Sequence, residues 1–157
     1  MLLKKRDHSL TEAMERPDCN RRLLFNTYRQ FEYINRLLAG WHDLYKTHIR
    51  PALTDDDSCR LLDIGFGGGD LPLSLYEWAD RDGLKLQITA IETDRRALEF
   101  VRQNREIPGD ITFRHASTDQ LVESQARFDF VISNHLIHHL SVKELKELTD
   151  QARQLST

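Results

Sequence analysis

Three kinds of residue in this chain are spaced for chemistry: a run of glycines, acids at strand ends and a knot of histidines. The glycines lie in Leu61-Leu62-Asp63-Ile64-Gly65-Phe66-Gly67-Gly68-Gly69-Asp70-Leu71-Pro72. This apolar stretch carries one acid, turns on glycines at alternate positions and enters a helix. Such glycines permit positive φ and close backbone approach, and the free N–H groups of a helix entrance are donors. Pro72 suits the start of that helix, where a missing N–H costs nothing. Glu92 closes the apolar, β-branched segment 84–91, and a carboxylate at that place can accept both hydroxyls of a ribose. His135, His138 and His139 crowd the end of a later apolar segment. A histidine there can take a proton from a phenol or an enol, because its pKa lies near neutrality.

Spacing narrows the ligand. Dinucleotide sites ask for G-x-G-x-x-G, which would require glycine at position 70. This chain has Asp70 there, a negative charge where a pyrophosphate would sit. The loop reads G-x-G-x-G and suits a nucleoside cofactor without phosphate. Plainer roles stand beside these: Asp63 as a turn cap, the glycines as packing, His138 and His139 as caps of the next helix or cleft lining. Metal ligation is not expected, since the histidines lack the glutamate of H-E-x-x-H and any partner cysteine pair.

The elements that position these groups follow from periodicity and turn chemistry. After the first strand and its helix, a second strand ends at Glu92, and Asp94 caps a helix carrying Ala97, Leu98 and Val101 on one face. A third strand, Ile111 to Arg114, follows the Pro108-Gly109 turn, and a fourth runs from Phe128 to Ser133 into Asn134-His135-Leu136-Ile137-His138-His139-Leu140. Ser141 and Glu144 form a capping box, Leu140 and Leu145 a staple, and Leu145, Leu148, Ala152 and Leu155 a helical stripe. Ahead of the sheet, Leu24, Tyr28, Phe31, Ile34, Leu38, Trp41 and Tyr45 recur every three or four residues, which predicts a helical arm over residues 1–52. Asp18 is its expected cap, Gly40 a break and Pro51 the stop. The stripe packs on the sheet domain, residues 53–157, or on its own partner helix, or forms a lid whose aromatics wall the substrate pocket, and packing and lid are compatible. Arg21, Arg22, Arg29 and Arg36 fall on the solvated or domain-facing side, and Asp55-Asp56-Asp57 reads as a solvated linker.

From Arg60 onward the ordered motifs resemble class I S-adenosylmethionine (SAM) dependent methyltransferases of the small-molecule type. The resemblance implies an α/β, Rossmann-like sheet and a set of roles. Asp63 holds the cofactor's ammonium group; Gly65, Gly67 and Gly69 pack under its methionine and ribose portions. Glu92 is the ribose acid, Asn134 opens the fourth motif beside the cofactor, and His138 and His139 are the catalytic candidates. Ser117 stands where the family usually has an aspartate that accepts from the adenine amino group, with Asp119 two residues away. A serine hydroxyl accepts without the added strength of charge, and helix capping is its other role. The family's strand order is 3-2-1-4-5-7-6, of which this chain supplies 3-2-1-4. The expected fold is therefore a partial sheet with an N-terminal helical arm, its fourth strand at an open edge that a second copy or a partner would cover.

These expectations converge on methyl transfer from SAM to an oxygen or carbon of a small organic acceptor, phenolic, quinone-like or polyketide. The Asn-Pro-Pro-aromatic string typical of enzymes that methylate nucleobase or protein amide nitrogens is absent after the fourth strand. Charge agrees: residues 1–50 hold 10 Lys/Arg against 6 Asp/Glu, and the remainder 12 against 19, so the cofactor domain is acidic and nucleic acid is not an expected partner. Two other readings remain: a SAM-binding module without turnover, and a nicotinamide-dependent oxidoreductase, which Asp70 opposes. With 39% hydrophobic and 30% charged residues and two cysteines in no metal or redox spacing, a cytoplasmic protein without a membrane segment is expected.

Overall fold

A computed structural model describes residues 19–38, 40–54 and 59–157, with the backbone alone over 31–38. The expectations placed on Asp18, on Asp55, Asp56 and Asp57, and on the side chains of Phe31, Ile34, Arg36 and Leu38 lie outside the described residues.

Four parallel strands, β1 (Cys59–Ile64), β2 (Leu86–Glu92), β3 (Ile111–His115) and β4 (Phe130–Ser133), form one sheet in the order β3-β2-β1-β4. Parallel strands need crossovers, and here helices supply them. Strands covered on both faces read as continuous apolar runs rather than alternating ones. In β1, Leu61, Leu62, Asp63 and Ile64 are all buried. Leu61 joins Ile88, Ala90, Ile111 and Phe113 in one core, while Leu62, Ile64 and Ile91 belong to a second one with Leu121, Phe128 and Leu155.

The first core is closed by α3 (Asp70–Arg81) through Leu71, Leu75 and Ala79, and by α4 (Arg95–Asn104) through Ala97, Phe100 and Val101. The second lies under the short α5 (Thr118–Glu123) and α6 (Val142–Leu155). Asp94 caps α4, its Oδ1 accepting the Arg96 N–H at 2.9 Å. Ser141 and Glu144 form the capping box of α6, with Ser141 N–H donating to Glu144 Oε2 at 2.7 Å. Pro72 is the third residue of α3 rather than the first, still inside the turn whose N–H groups have no intrahelical acceptor.

Ahead of the sheet run α1 (Arg21–Leu38) and α2 (Trp41–Leu44), with Gly40 between them at φ 65°. A π-helical turn over Tyr45–Ile49 and a 3-10 turn over Arg50–Ala52 follow, the latter containing Pro51. Leu24, Tyr28 and Tyr45 of the expected stripe are buried. Arg21 and Arg29 face the sheet domain: Arg21 pairs with Glu99 at 3.1 Å, and Arg29 Nη2 donates to Asn104 Oδ1 at 2.9 Å.

β4 is two residues shorter at its start than expected. Phe128 instead makes a parallel bridge to Ser156: its N–H donates to Leu155 O at 2.8 Å, and Thr157 N–H donates to Phe128 O at 3.0 Å. The outer side of the sheet next to β4 is thus paired at its foot, while Phe130–Ser133 form the edge strand and are half-buried throughout.

Candidate active site

In an open parallel sheet, ligands settle where the strand order reverses, beyond the carboxyl ends of the strands. Here the reversal falls at β1, which pairs β2 on one side and β4 on the other. The pairings Ile64 with Ile91, Glu92 with His115 and Ile64 with Ser133 set those ends level. Ser133 Oγ donates to Ile64 O at 2.9 Å, fastening β4 to β1 at the rim.

The glycine loop begins as an extension of the sheet, with Gly65 N–H donating to Ile91 O at 2.9 Å. It then turns through positive φ at Gly65, Gly67 and Gly69, conformations that only glycine enters freely. Gly69 is the N-cap of α3, and a Cβ there would lie 2.8 Å from Val101 Cγ2 and 3.1 Å from Phe113. Its place is therefore set by core packing, and it does not border the cleft. Gly65 and Gly67 do.

Two cavities meet at this loop. One, of about 540 Å³, is lined by Asp63, Gly65, Gly67, Asp70, Glu92 and Asn134, and also by Leu24, Tyr28 and the three histidines His135, His138 and His139. The other, of about 500 Å³, runs toward α5 and α6 past Ser117, Asp119 and Gln151. Gly65, Glu92, Thr93 and Leu136 line both. Leu136 sits over the loop, 3.5 Å from where a Cβ on Gly65 would be. The two cavities thus adjoin at these four residues, Glu92 among them.

Asp63 is only 1% exposed, and its Oδ1 has no hydrogen-bond partner. Burial, followed by the neighbouring carboxylates of Asp70 and Glu92, pushes its pKa up to about 8. A cation beside this carboxyl would favour its charged form. Glu92 is held by the backbone around it: Oε1 accepts the N–H groups of Thr93 at 2.8 Å and Asp94 at 3.2 Å, and Oε2 that of Gly67 at 3.3 Å.

Asn134 and the three histidines follow β4. His135 has φ 58°, a left-handed conformation uncommon for a residue with a side chain. Ile137–His139 form a 3-10 turn, and the rings of His138 and His139 lie 3.7 Å apart between centroids, with His135 6.3 Å from His138. Among the described residues no group of three His, Cys, Asp or Glu is arranged to hold a metal ion.

Ser117 is the N-cap of α5, and Gln120 Oε1 accepts its N–H at 3.0 Å within a capping box. It borders the second cavity, apart from the histidines. Asp119 and Thr118 are both hydrogen-bonded to Gln151 of α6. Leu136 and Gln151 line these cavities without having been singled out for it in the sequence, and Asp70, read there only as an acid opposed to a pyrophosphate, lines the first of them. Asp70 carried a readable signal, as the acid closing the glycine loop; Gln151, an ordinary polar residue on a distant helix, carried none.

This sheet order, with the loop and cleft at its point of reversal, defines an α/β domain with a parallel sheet. Residues 61–156 match the family model described as "Methyltransferase domain", and the chain belongs to that family. It is 28% identical over 113 residues to the ubiquinone biosynthesis O-methyltransferase of Ruegeria pomeroyi, covering 71% of this chain and 42% of that protein. The chain thus spans less than half the length of this curated relative. Its fold is similar to that of the plantazolicin methyltransferase BpumL solved in complex with SAH (TM-score 0.63, 16% identity, 92% of this chain and 51% of that one). It is likewise similar to the N-methyltransferase NodS of Bradyrhizobium japonicum WM9, also solved with SAH (TM-score 0.57, 13% identity, 85% and 68%). Among the described residues no helix is long and apolar enough to cross a membrane.

Proposed function

We propose that the chain binds SAM across these two adjoining cavities and directs its methyl group to an oxygen or carbon of a small organic acceptor, phenolic, quinone-like or polyketide. The observation that carries this reading is the buried Asp63 carboxylate, whose Oδ1 lacks a partner beside a glycine loop that leaves its backbone open. An ammonium group answers that carboxylate, and a loop without side chains at Gly65 and Gly67 admits a ligand against its main chain. Glu92, where the two cavities join, is placed to accept from ribose hydroxyls, with the base reaching toward Ser117. Asp70 opens α3 and lines the first cavity, so a pyrophosphate at that helix entrance would meet a carboxylate. This favours a phosphate-free nucleoside over a nicotinamide dinucleotide.

SAM, when bound, supplies a methyl group on a sulfonium, already activated toward a nucleophile. The work left to the protein is mainly positioning, which supplies on the order of 7–11 kcal/mol in favourable systems. Asp63, Gly65, Gly67, Glu92 and Asn134 hold the cofactor. Leu24 and Phe66 offer apolar surface to the acceptor, and His138, with His139 against it, takes the proton that a phenol or enol gives up. The likeness to a protein named as an O-methyltransferase supports an oxygen acceptor.

Calorimetry with SAM, S-adenosylhomocysteine and NADH tests the cofactor; binding of NADH without SAM would sink the reading. Radiolabelled methyl transfer to a panel of phenols and quinones tests the acceptor. Tight SAM binding with no transfer to any of them would instead make the chain a cofactor-binding module.

A further inference from the structure

The sequence marks Gly65, Gly67 and Gly69 as the working glycines and leaves Gly68 without a task. Gly68 does not have positive φ, so its backbone alone does not require glycine. What requires it is α1: a Cβ on Gly68 would lie 3.1 Å from Tyr28 Cβ and 3.3 Å from the Tyr28 carbonyl oxygen. Helix α1 rests main chain against main chain on the loop. The Tyr28 ring continues past it, 3.7 Å from where a Cβ on Gly67 would be, and forms a wall of the cavity that also holds Asp63 and Glu92.

This seating is anchored on α4 rather than by the loop alone. Phe25 and Tyr28 pack on the fully buried Phe100 with ring centroids 4.9 and 5.2 Å away. Arg105 stands over the same ring and donates from Nε to Gly68 O at 3.2 Å, tying loop, α4 end and aromatic cluster together.

We propose that α1 is part of the cofactor site: seated on Gly68, it places Tyr28 against the bound nucleoside, where the phenol donates a hydrogen bond to a cofactor oxygen. The inference rests on the cofactor reading above and adds a residue to it from outside the sheet domain. Burial, with Asp94 and Glu92 nearby, drives the Tyr28 pKa upward, so the hydroxyl keeps its proton and remains a donor. The cofactor offers acceptors in its sugar and in its amino-acid carboxylate. Among the described residues, no lysine or arginine lines this cavity, so a neutral donor is what α1 brings. Arm and cofactor then secure each other, because each buries the other's contact surface.

The test uses the full chain with two probes, S-adenosylhomocysteine and 5′-methylthioadenosine, which lacks the amino-acid end. Tyr28→Phe keeps the ring on Phe100 and removes only the hydroxyl; it should weaken S-adenosylhomocysteine about 3- to 30-fold, the range for one hydrogen bond from neutral to charge-assisted. Loss with that probe alone places the contact on the carboxylate, and loss with both places it on the sugar. Either result supports the proposal. Amide exchange across 24–30 should slow when S-adenosylhomocysteine is added to the unaltered chain, and Gly68→Ala should remove that slowing. Unchanged affinity of Tyr28→Phe for both probes, with exchange in α1 indifferent to ligand, overturns the proposal. Failure of the unaltered chain to bind either probe would instead overturn the cofactor reading itself.

Discussion

Glu92 Oε2 accepts the Gly67 N–H at 3.3 Å, so the carboxylate that ends β2 is held against the loop that follows β1. With Oε1 engaged by Thr93 and Asp94, the side chain is oriented before any ligand arrives, and little rotamer entropy is lost on binding. Glu92→Ala should therefore weaken S-adenosylhomocysteine by about 10- to 100-fold, the worth of hydrogen bonds to a charged acceptor. Calorimetry reads this directly, and an unaltered Kd removes Glu92 from the cofactor's sugar.

Asp63 should give the ligand-free chain an unusual pH response. Its folded pKa of about 8 lies above the ordinary carboxylate value of about 3.9, so between those limits the folded state holds the extra proton. Stability then falls as pH rises across that window, by at most about 1.4 kcal/mol per pH unit from this group. Asp70 and Glu92 face Asp63 and sharpen the effect by repulsion. Asp63→Asn should flatten the decline and raise Tm at pH 8, while weakening S-adenosylhomocysteine at least about 10-fold for want of a charge opposite the ammonium. Thermal melts from pH 4 to 8, with and without ligand, check both halves. A variant no more stable than the parent at pH 8 would refute the first.

Much of this architecture was readable because local signals agreed with one another. Apolar runs around Leu61 and Ile88, the caps Asp94 and Ser141, and the break at Gly40 mark elements the structure contains. The sheet order and family also stand as the motifs implied. What periodicity could not show was contact between distant segments. Gly68 looks like a spare glycine until α1 is laid on it, and Gly69 looks like a ligand-facing one until Val101 and Phe113 are found against it. The start of β4 was misplaced because Phe128 is apolar enough for a strand, yet its partner is the backbone at Ser156. Gln151 reaches Thr118 and Asp119 from 32 or more positions away, a distance no local pattern spans.

The two reasons for glycine separate experimentally. Gly83 and Gly69 both have φ 73°, but nothing lies within 4 Å of a Cβ on Gly83, whereas one on Gly69 meets Val101 at 2.8 Å. Gly83→Ala should cost about 1–2 kcal/mol of backbone strain alone. Gly69→Ala should add about 1–3 kcal/mol for overpacking. Denaturant unfolding of both variants gives the difference, and equal losses would mean that Val101 yields without cost.

The histidine wall yields the last prediction. His138 lies against His139, their ring centroids 3.7 Å apart, and both line the cavity that Asp63 and Tyr28 also line. His138→Gln should lower the rate with a weakly acidic phenol by about 10²–10⁴, the usual worth of a general base, and leave S-adenosylhomocysteine affinity intact. The loss should shrink with phenols acidic enough to ionise unaided, since positioning alone then suffices. A variant that transfers methyl groups to every phenol at the parent rate would leave His138 with packing as its role. If His139→Gln alone slowed transfer to weakly acidic phenols, His139 would be the proton acceptor.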